Sequence, residues 1–247
     1  QPLHAFDAAA IKGNKVIVKK LPAGTAFVTL DGVERKLSGH DLMICNENEG
    51  MCIGGVFGGL SSGVTETTTA IFLESACFDA KTIRKTSRFH GLQTDASFRF
   101  ERGTDPNITL FALQRAALLI LEVAGGHISS EIKDVYPQVI KPVTVLFSFD
   151  YLDKIAGQHI DRQQALRIIN NLGIKTHTQT ENEVLLEIPT FKVDVYRPAD
   201  VVEEVLRVYG YDNIQIPEKL NAAVNISEGL DPDKIQHAVA DMLAANG

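Results

Sequence analysis

Between Lys15 and Phe78 the apolar runs are short and are broken by glycine, proline or polar turn residues, a spacing that admits strands and tight turns but no long helix. The strand candidates are Lys15 to Lys20, Ala26 to Leu30, Val33 to Leu37, Leu42 to Asn46, Met51 to Phe57 and Ala70 to Phe78. Asp31-Gly32, between the second and third of these, is a strong hairpin signal. The glycine-rich run Gly54 to Gly59 then gives way to a polar loop, Leu60 to Gly63. Beyond Phe78 the period changes. Asp79 caps a basic helical segment through Arg88, and Asp105-Pro106 opens a long apolar helix that Gly125-Gly126 stops. Its most apolar part, Leu110 to Val123, is interrupted by Gln114, Arg115 and Glu122, so a core helix is expected rather than a membrane span.

Pro137 and Pro142 bracket a short linker, and from Val143 the order becomes strand, helix, helix, strand, strand, helix. Asp161 caps the helix Arg162 to Leu172, which Gly173 ends. A hairpin follows around Thr180 to Asn182, and Pro198 opens a helix to Val208. The predicted class is α+β: a mixed-sheet domain with a long core helix over 1–136, a small winged-helix-like α/β domain over 143–215, and a linker with a first further helix over 216–247. In that last stretch Asp231-Pro232 starts a helix whose Ile235, Val239, Met242 and Leu243 form one apolar stripe. Together with Gln1 in place of an initiator Met, the stripe predicts an excised piece of a longer protein.

Composition narrows the function classes. With 45% hydrophobic and 22% charged residues in 247, the chain has ample material for a core. Its net charge of −7 gives it no general attraction for phosphate, so any nucleic-acid contact must come from a local patch. Cys45, Cys52 and Cys77 show no C-x-x-C pairing and read as reduced, buried thiols of a cytoplasmic protein without a signal peptide.

Four groups of residues could carry chemistry. Glu74 shares a strand face with Phe72, Ala76 and Phe78; it is either exposed at an edge, as most glutamates are, or aimed into a pocket where it binds a ligand hydroxyl or amine. His4, between Leu3 and Phe6, is by itself a structural histidine as readily as a catalyst. The window Lys81 to Arg102 reverses the sign of the chain, with Arg84, Lys85, Arg88, Arg99 and Arg102 against Asp95 and Glu101. That window is either a solvated face or a phosphate-contacting patch. Asp194, Asp200, Glu203 and Glu204 could converge as oxygen ligands for Mg²⁺ or Ca²⁺, although acids in a helix's first turn are favoured by the macrodipole alone. The glycines around Gly55 match neither a P-loop nor a Rossmann fingerprint and point to close backbone approach. No nucleophile motif is present.

The strings QPLHAFD (1–7), GGVFGG (54–59), LESACF (73–78), RKTSRFHGLQTDASFRFERGTDP (84–106) and PTFKVDVYRPADVVEEVLRVYGYDNI (189–214) resemble the beta subunit of bacterial-type phenylalanyl-tRNA synthetases, in order and over essentially the whole chain. The resemblance implies that the first module is a tRNA-editing domain that hydrolyses tyrosine mistakenly attached to phenylalanine tRNA. It implies a pocket of His4, Gly55, Glu74, Thr94 and Ala96, with Glu74 on the tyrosine hydroxyl and His4 and Glu74 as the catalytic candidates. Arg84, Lys85, Arg88, Arg99 and Arg102 would contact the tRNA. Asp194, Asp200, Glu203 and Glu204 would hold Mg²⁺ shared with an alpha subunit, which in an α2β2 enzyme would also carry the ATP-dependent aminoacylation site. The alternatives are a non-catalytic tRNA-binding scaffold working only within that assembly and, against the acidic face near Asp200, a DNA-binding winged helix.

Overall fold

The computed structural model describes residues 1–216 and 231–247. Its short strands follow the short apolar runs. β1 (Leu3–Asp7) pairs antiparallel with β8 (Ile71–Ser75). Between them, β2 (Ile17–Lys20), β5 (Leu42–Cys45), β6 (Gly50–Ile53) and β7 (Phe57–Gly58) form a four-stranded antiparallel sheet in that order. β3 (Ala26–Val28) and β4 (Glu34–Lys36) form a separate hairpin. Its loop is longer than a two-residue turn. The Thr29 N–H donates to Val33 O at 3.1 Å, the Gly32 N–H to Thr29 O at 2.8 Å, and Gly32 sits at φ +76°, a conformation that costs glycine nothing.

α1 (Ala80–His90) is capped by Asp79, whose carboxylate accepts from Thr82 N at 2.8 Å, and is closed by Gly91 in the left-handed region. α2 (Asp95–Phe100) starts at Thr94 in a capping box with Ser97. One core serves these elements: Phe6, Met43, Ile53, Phe78, Ile83 and Phe100 close over the sheets.

α3 (Thr109–Ala124) forms where expected, but it is not a core helix. None of its residues is buried, and Phe111, Leu118 and Val123 are well exposed. Counted from Pro106 it runs 19 residues and is, by length and composition alone, long and apolar enough to cross a bilayer. An apolar sequence forms the helix, but only a neighbouring element could bury it, and among the described residues α3 lies mainly against β8.

The second core is independent of the first. β9 (Val143–Ser148), β11 (Glu183–Ile188) and β10 (Lys175–Gln179) form an antiparallel sheet with β11 central. α4 (Phe149–Ala156), α5 (Arg162–Asn171) and α6 (Pro198–Tyr209) pack Leu152, Ile169, Val201 and Val205 against Phe147, Val184 and Leu186. Asp161 caps α5 through Gln164 N at 2.8 Å. The cores meet where Thr190 donates to Asp105 at 2.6 Å and accepts from Asn107 at 2.8 Å. Most of the linker expected after residue 216 lies outside the described residues. α7 (Pro232–Ala245) follows with Ile235, Val239, Met242 and Leu243 exposed.

Candidate functional site

The β1–β8 register puts His4 directly opposite Glu74. Side chains that face each other across antiparallel strands have Cβ atoms about 5 Å apart, so an imidazole and a carboxylate are delivered to one spot from positions far apart in sequence. His4 Nε2 and Glu74 Oε2 are both buried and have no hydrogen-bond partner. Leaving such groups unpaired costs ~1–3 kcal/mol each, and more if charged. Glu74 is only half-buried as a residue, but its Oε2 is sealed from solvent, and this burial pushes its carboxyl up to about 7. Burial also lowers the His4 imidazole below its ordinary 6.5, which favours its neutral form.

Both side chains line a cleft of about 250 Å³ together with Gly55, Thr94 and Ala96. The five residues expected to form a pocket are thus brought together. Each wall has a local cause. Gly55 turns β6 into β7 at φ +69°, and a Cβ there would stand 2.7 Å from Phe78 and 2.9 Å from Ile83, so the glycine is demanded by the core behind the cleft. Thr94 Oγ1 accepts from Ser97 N at 3.1 Å and donates to Val56 O at 2.7 Å, tying the start of α2 to the Gly55 turn. Its hydroxyl is therefore largely occupied by the fold. Ala96, in the first turn of α2, leaves the cleft open.

Sequence reasoning missed three features of this region. Gly58 makes room for the imidazole, since a Cβ there would lie 2.8 Å from His4 Cε1 and 2.8 Å from Leu30. Cys52 lines the cleft beneath Glu74, with its thiol pushed well up, first by burial and then by the nearby carboxylate. The fully buried Asp41 accepts from Ser38 N and Oγ at 2.7 Å, Thr86 Oγ1 at 2.9 Å and His90 Nε2 at 2.7 Å, which pins the end of α1 and so the loop leading to Thr94. The Gly55–Gly58 run is legible as close packing; the buried Asp41–His90 pair carries no signal in local sequence. A larger groove, about 580 Å³ between Lys19–Pro22 and Thr25–Val28, gathers none of the expected residues.

The basic side chains of the window Lys81 to Arg102 lie on the surface. Arg84, Lys85 and Arg88 on α1 and Arg99 on α2 are exposed and form no ion pair among the described residues. Arg102 differs. Its guanidinium bonds Phe98 O at 2.9 Å and Glu101 at 3.1 Å and lies 3.5 Å from the Phe98 ring centroid.

The structure does not bring the four acids expected to bind Mg²⁺ together as a set. Among the described residues no three metal-ligating side chains come together. Asp200 accepts from Tyr196 N and Arg197 N at the start of α6 and pairs with Arg197 at 3.0 Å. Glu204 is held by Lys192 and by Arg207, the latter at 3.1 Å. Asp194 and Glu203 are exposed. Capping and neighbouring cations thus engage Asp200 and Glu204, and no chemical step is derived through a metal. The thiol expectation is corrected as well: Cys45 and Cys52 are buried, but Cys77 is exposed.

A B3/4 domain model matches residues 1–125, and a tRNA synthetase B5 domain model matches residues 145–211. Among curated proteins, the phenylalanine–tRNA ligase beta subunit of Bacteroides thetaiotaomicron is 52% identical over 248 residues, covering all of this chain and 30% of that protein. The same subunit of Porphyromonas gingivalis is 47% identical over 249 residues with the same coverages. An N-terminal fragment of the phenylalanyl-tRNA synthetase beta subunit from Pyrococcus horikoshii superimposes with a TM-score of 0.43 at 15% identity, over 85% of this chain and 60% of that one. The chain spans about 30% of the length of the curated relatives it matches.

Proposed function

The chain belongs to the B3/4-domain family as carried by phenylalanine–tRNA ligase beta subunits, and from that membership we propose that the His4–Glu74 cleft is a proofreading site that hydrolyses tyrosine from mischarged phenylalanine tRNA. The observation that carries this reading is the pair of buried, unpartnered atoms His4 Nε2 and Glu74 Oε2 in a cleft otherwise walled by Gly55, Thr94 and Ala96. A phenolic hydroxyl donates to Glu74 and relieves its isolation, whereas phenylalanine leaves the carboxylate unpaired. A site built to bond a hydroxyl rejects the analogue that lacks it by roughly 10⁴-fold.

In hydrolysis the oxygen of water bonds to the ester carbonyl carbon, the bond to the ribose oxygen breaks, and the water's proton ends on that ribose hydroxyl. Neutral His4 is suited to accept that proton and pass it on. Its closeness to Glu74 sets the test of this role. An imidazole that stays beside the phenol lowers tyrosine affinity when removed; one that serves the ester lowers the cleavage rate alone. In this reading the aminoacylation site, with its ATP, lies on a separate alpha subunit of an α2β2 cytoplasmic enzyme, and the exposed Arg84, Lys85, Arg88 and Arg99 face tRNA phosphates.

The deciding experiment is deacylation of tyrosyl-tRNA by the chain, with Glu74→Ala and His4→Ala beside it. Release of tyrosine that collapses in Glu74→Ala supports proofreading. One observation favours a second reading, a binding module without hydrolysis: His4 Nε2 has no partner that orients it. Salt-sensitive tRNA binding with no release of tyrosine would establish that module instead.

A further inference from the structure

The proofreading reading leaves unexplained why a phenylalanine beside the cleft is turned to solvent. Asp95 and Ala96, at the start of α2, line the cleft mouth. Phe98 and Arg99 follow Asp95 at the third and fourth positions, and Arg102 follows at the seventh, on the turn that closes the helix, so the four share one face. Phe98 is 55% exposed. It is also held. The Arg102 guanidinium lies 3.5 Å from its ring centroid and is itself fixed by Phe98 O and Glu101. A large apolar ring kept in water and braced by a cation is an incomplete stack. It lies about 5 Å along the helix axis from the cleft-lining Asp95. Arg99 on α2, and Arg84, Lys85 and Arg88 on α1, which contacts α2, are exposed cations of a net-negative chain and supply the charge that a phosphate backbone requires.

We propose that Phe98, braced by Arg102, is the stacking platform for a base at the unpaired 3′ end of the RNA whose esterified amino acid enters the Glu74 cleft. The platform rests on the proofreading reading and adds a base-binding subsite to it. Stacking on an aromatic side chain tolerates any base, so the platform supplies affinity and position, and the choice of amino acid stays with Glu74.

The test uses a short single-stranded RNA with 2-aminopurine as its terminal base and tyrosine joined to its 3′ end through an amide, which resists cleavage. Binding to the unmodified chain should change the 2-aminopurine emission. Phe98→Ala should weaken binding by about tenfold and abolish the emission change. Phe98→Tyr should retain both, and Phe98→Leu, which keeps the bulk without the π face, should behave as Phe98→Ala. Circular dichroism checks that each variant is folded. Free tyrosine should bind all four proteins alike. If it binds none of them, the cleft reading has failed and the platform falls with it. If tyrosine binds while the RNA binds Phe98→Ala as well as the parent, or shows no emission change on the parent, the platform alone is overturned and the exposed ring is left to a protein neighbour.

Discussion

If the proposed cleft takes tyrosine, Glu74 makes its binding a titration. Its carboxyl is raised from 4.5 to about 7 by burial, and at 1.36 kcal/mol per pH unit that displacement amounts to ~3 kcal/mol. The sign follows from linkage. A carboxyl whose folded pKa is raised leaves stability intact below 4.5 and withdraws it as pH climbs through about 7, because the ionised form is the one that burial disfavours. A phenolic hydroxyl reverses this by donating to the ionised carboxylate. If tyrosine restores an ordinary carboxylate pKa, its affinity should rise about tenfold between pH 6 and pH 8, and about half a proton should leave the protein on binding at pH 7. Free tyrosine does not itself titrate in this window, and His4, lowered below 6.5, titrates beneath most of it. Calorimetry at pH 6, 7 and 8, in two buffers of different ionisation enthalpy, reads both quantities. Glu74→Gln should flatten the profile, and phenylalanine should show no rise. A tyrosine affinity that is flat or falls with pH, or a rise that survives in Glu74→Gln, refutes the argument.

Gly55→Ala meets Phe78 and Ile83 from a left-handed backbone and should cost about 3 kcal/mol in chemical denaturation. Gly58→Ala should displace His4 or Leu30, and single-turnover deacylation should slow while the chain stays folded. Asp41→Ala should destabilise by roughly 3–5 kcal/mol by stranding His90 and its other partners. Burial raises the Asp41 carboxyl, but bonds from His90, Ser38 and Thr86 outweigh it and hold it below 3.8. Its stability contribution is therefore present above 3.8 and lost as pH falls through the folded value, so Asp41→Asn should blunt the acid limb of a melting-temperature profile. Asp194→Ala with Glu203→Ala, both exposed, should move the melting temperature by no more than an ordinary surface change, with or without added Mg²⁺.

Most of the helices were legible because their signals are local, although the short α2 was not expected. Asp79, Asp161 and Pro198 begin helices, and Gly125 ends one. The strands from Ile17 onward were legible as short runs, but β1 was not expected, pairing depends on distant partners, and nothing near Leu3 announces β8. Glu74 was ambiguous for the same reason, since its strand carries both exposed Phe72 and half-buried Ala76; the register with His4 decides where it points. The acid cluster was legible as a run of acids, but the pairing of Asp200 and Glu204 with Arg197, Lys192 and Arg207 depends on side-chain geometry that local spacing does not carry. Hydrophobicity alone put α3 in the core, but composition says what a helix needs and not whether a neighbour supplies it.

The β1–β8 pairing also fixes when the cleft can come into being. Its walls come from β1, the Gly55 turn, the strand at Glu74 and the start of α2, so a ribosome must release everything through α2 before the whole cleft exists. Pairing two strands so far apart in sequence closes a long loop, and such non-local contacts form slowly. A half-made chain therefore lacks the assembled cleft, and a single nick between Asp7 and Ile71 leaves the two strands joined only by what they bury.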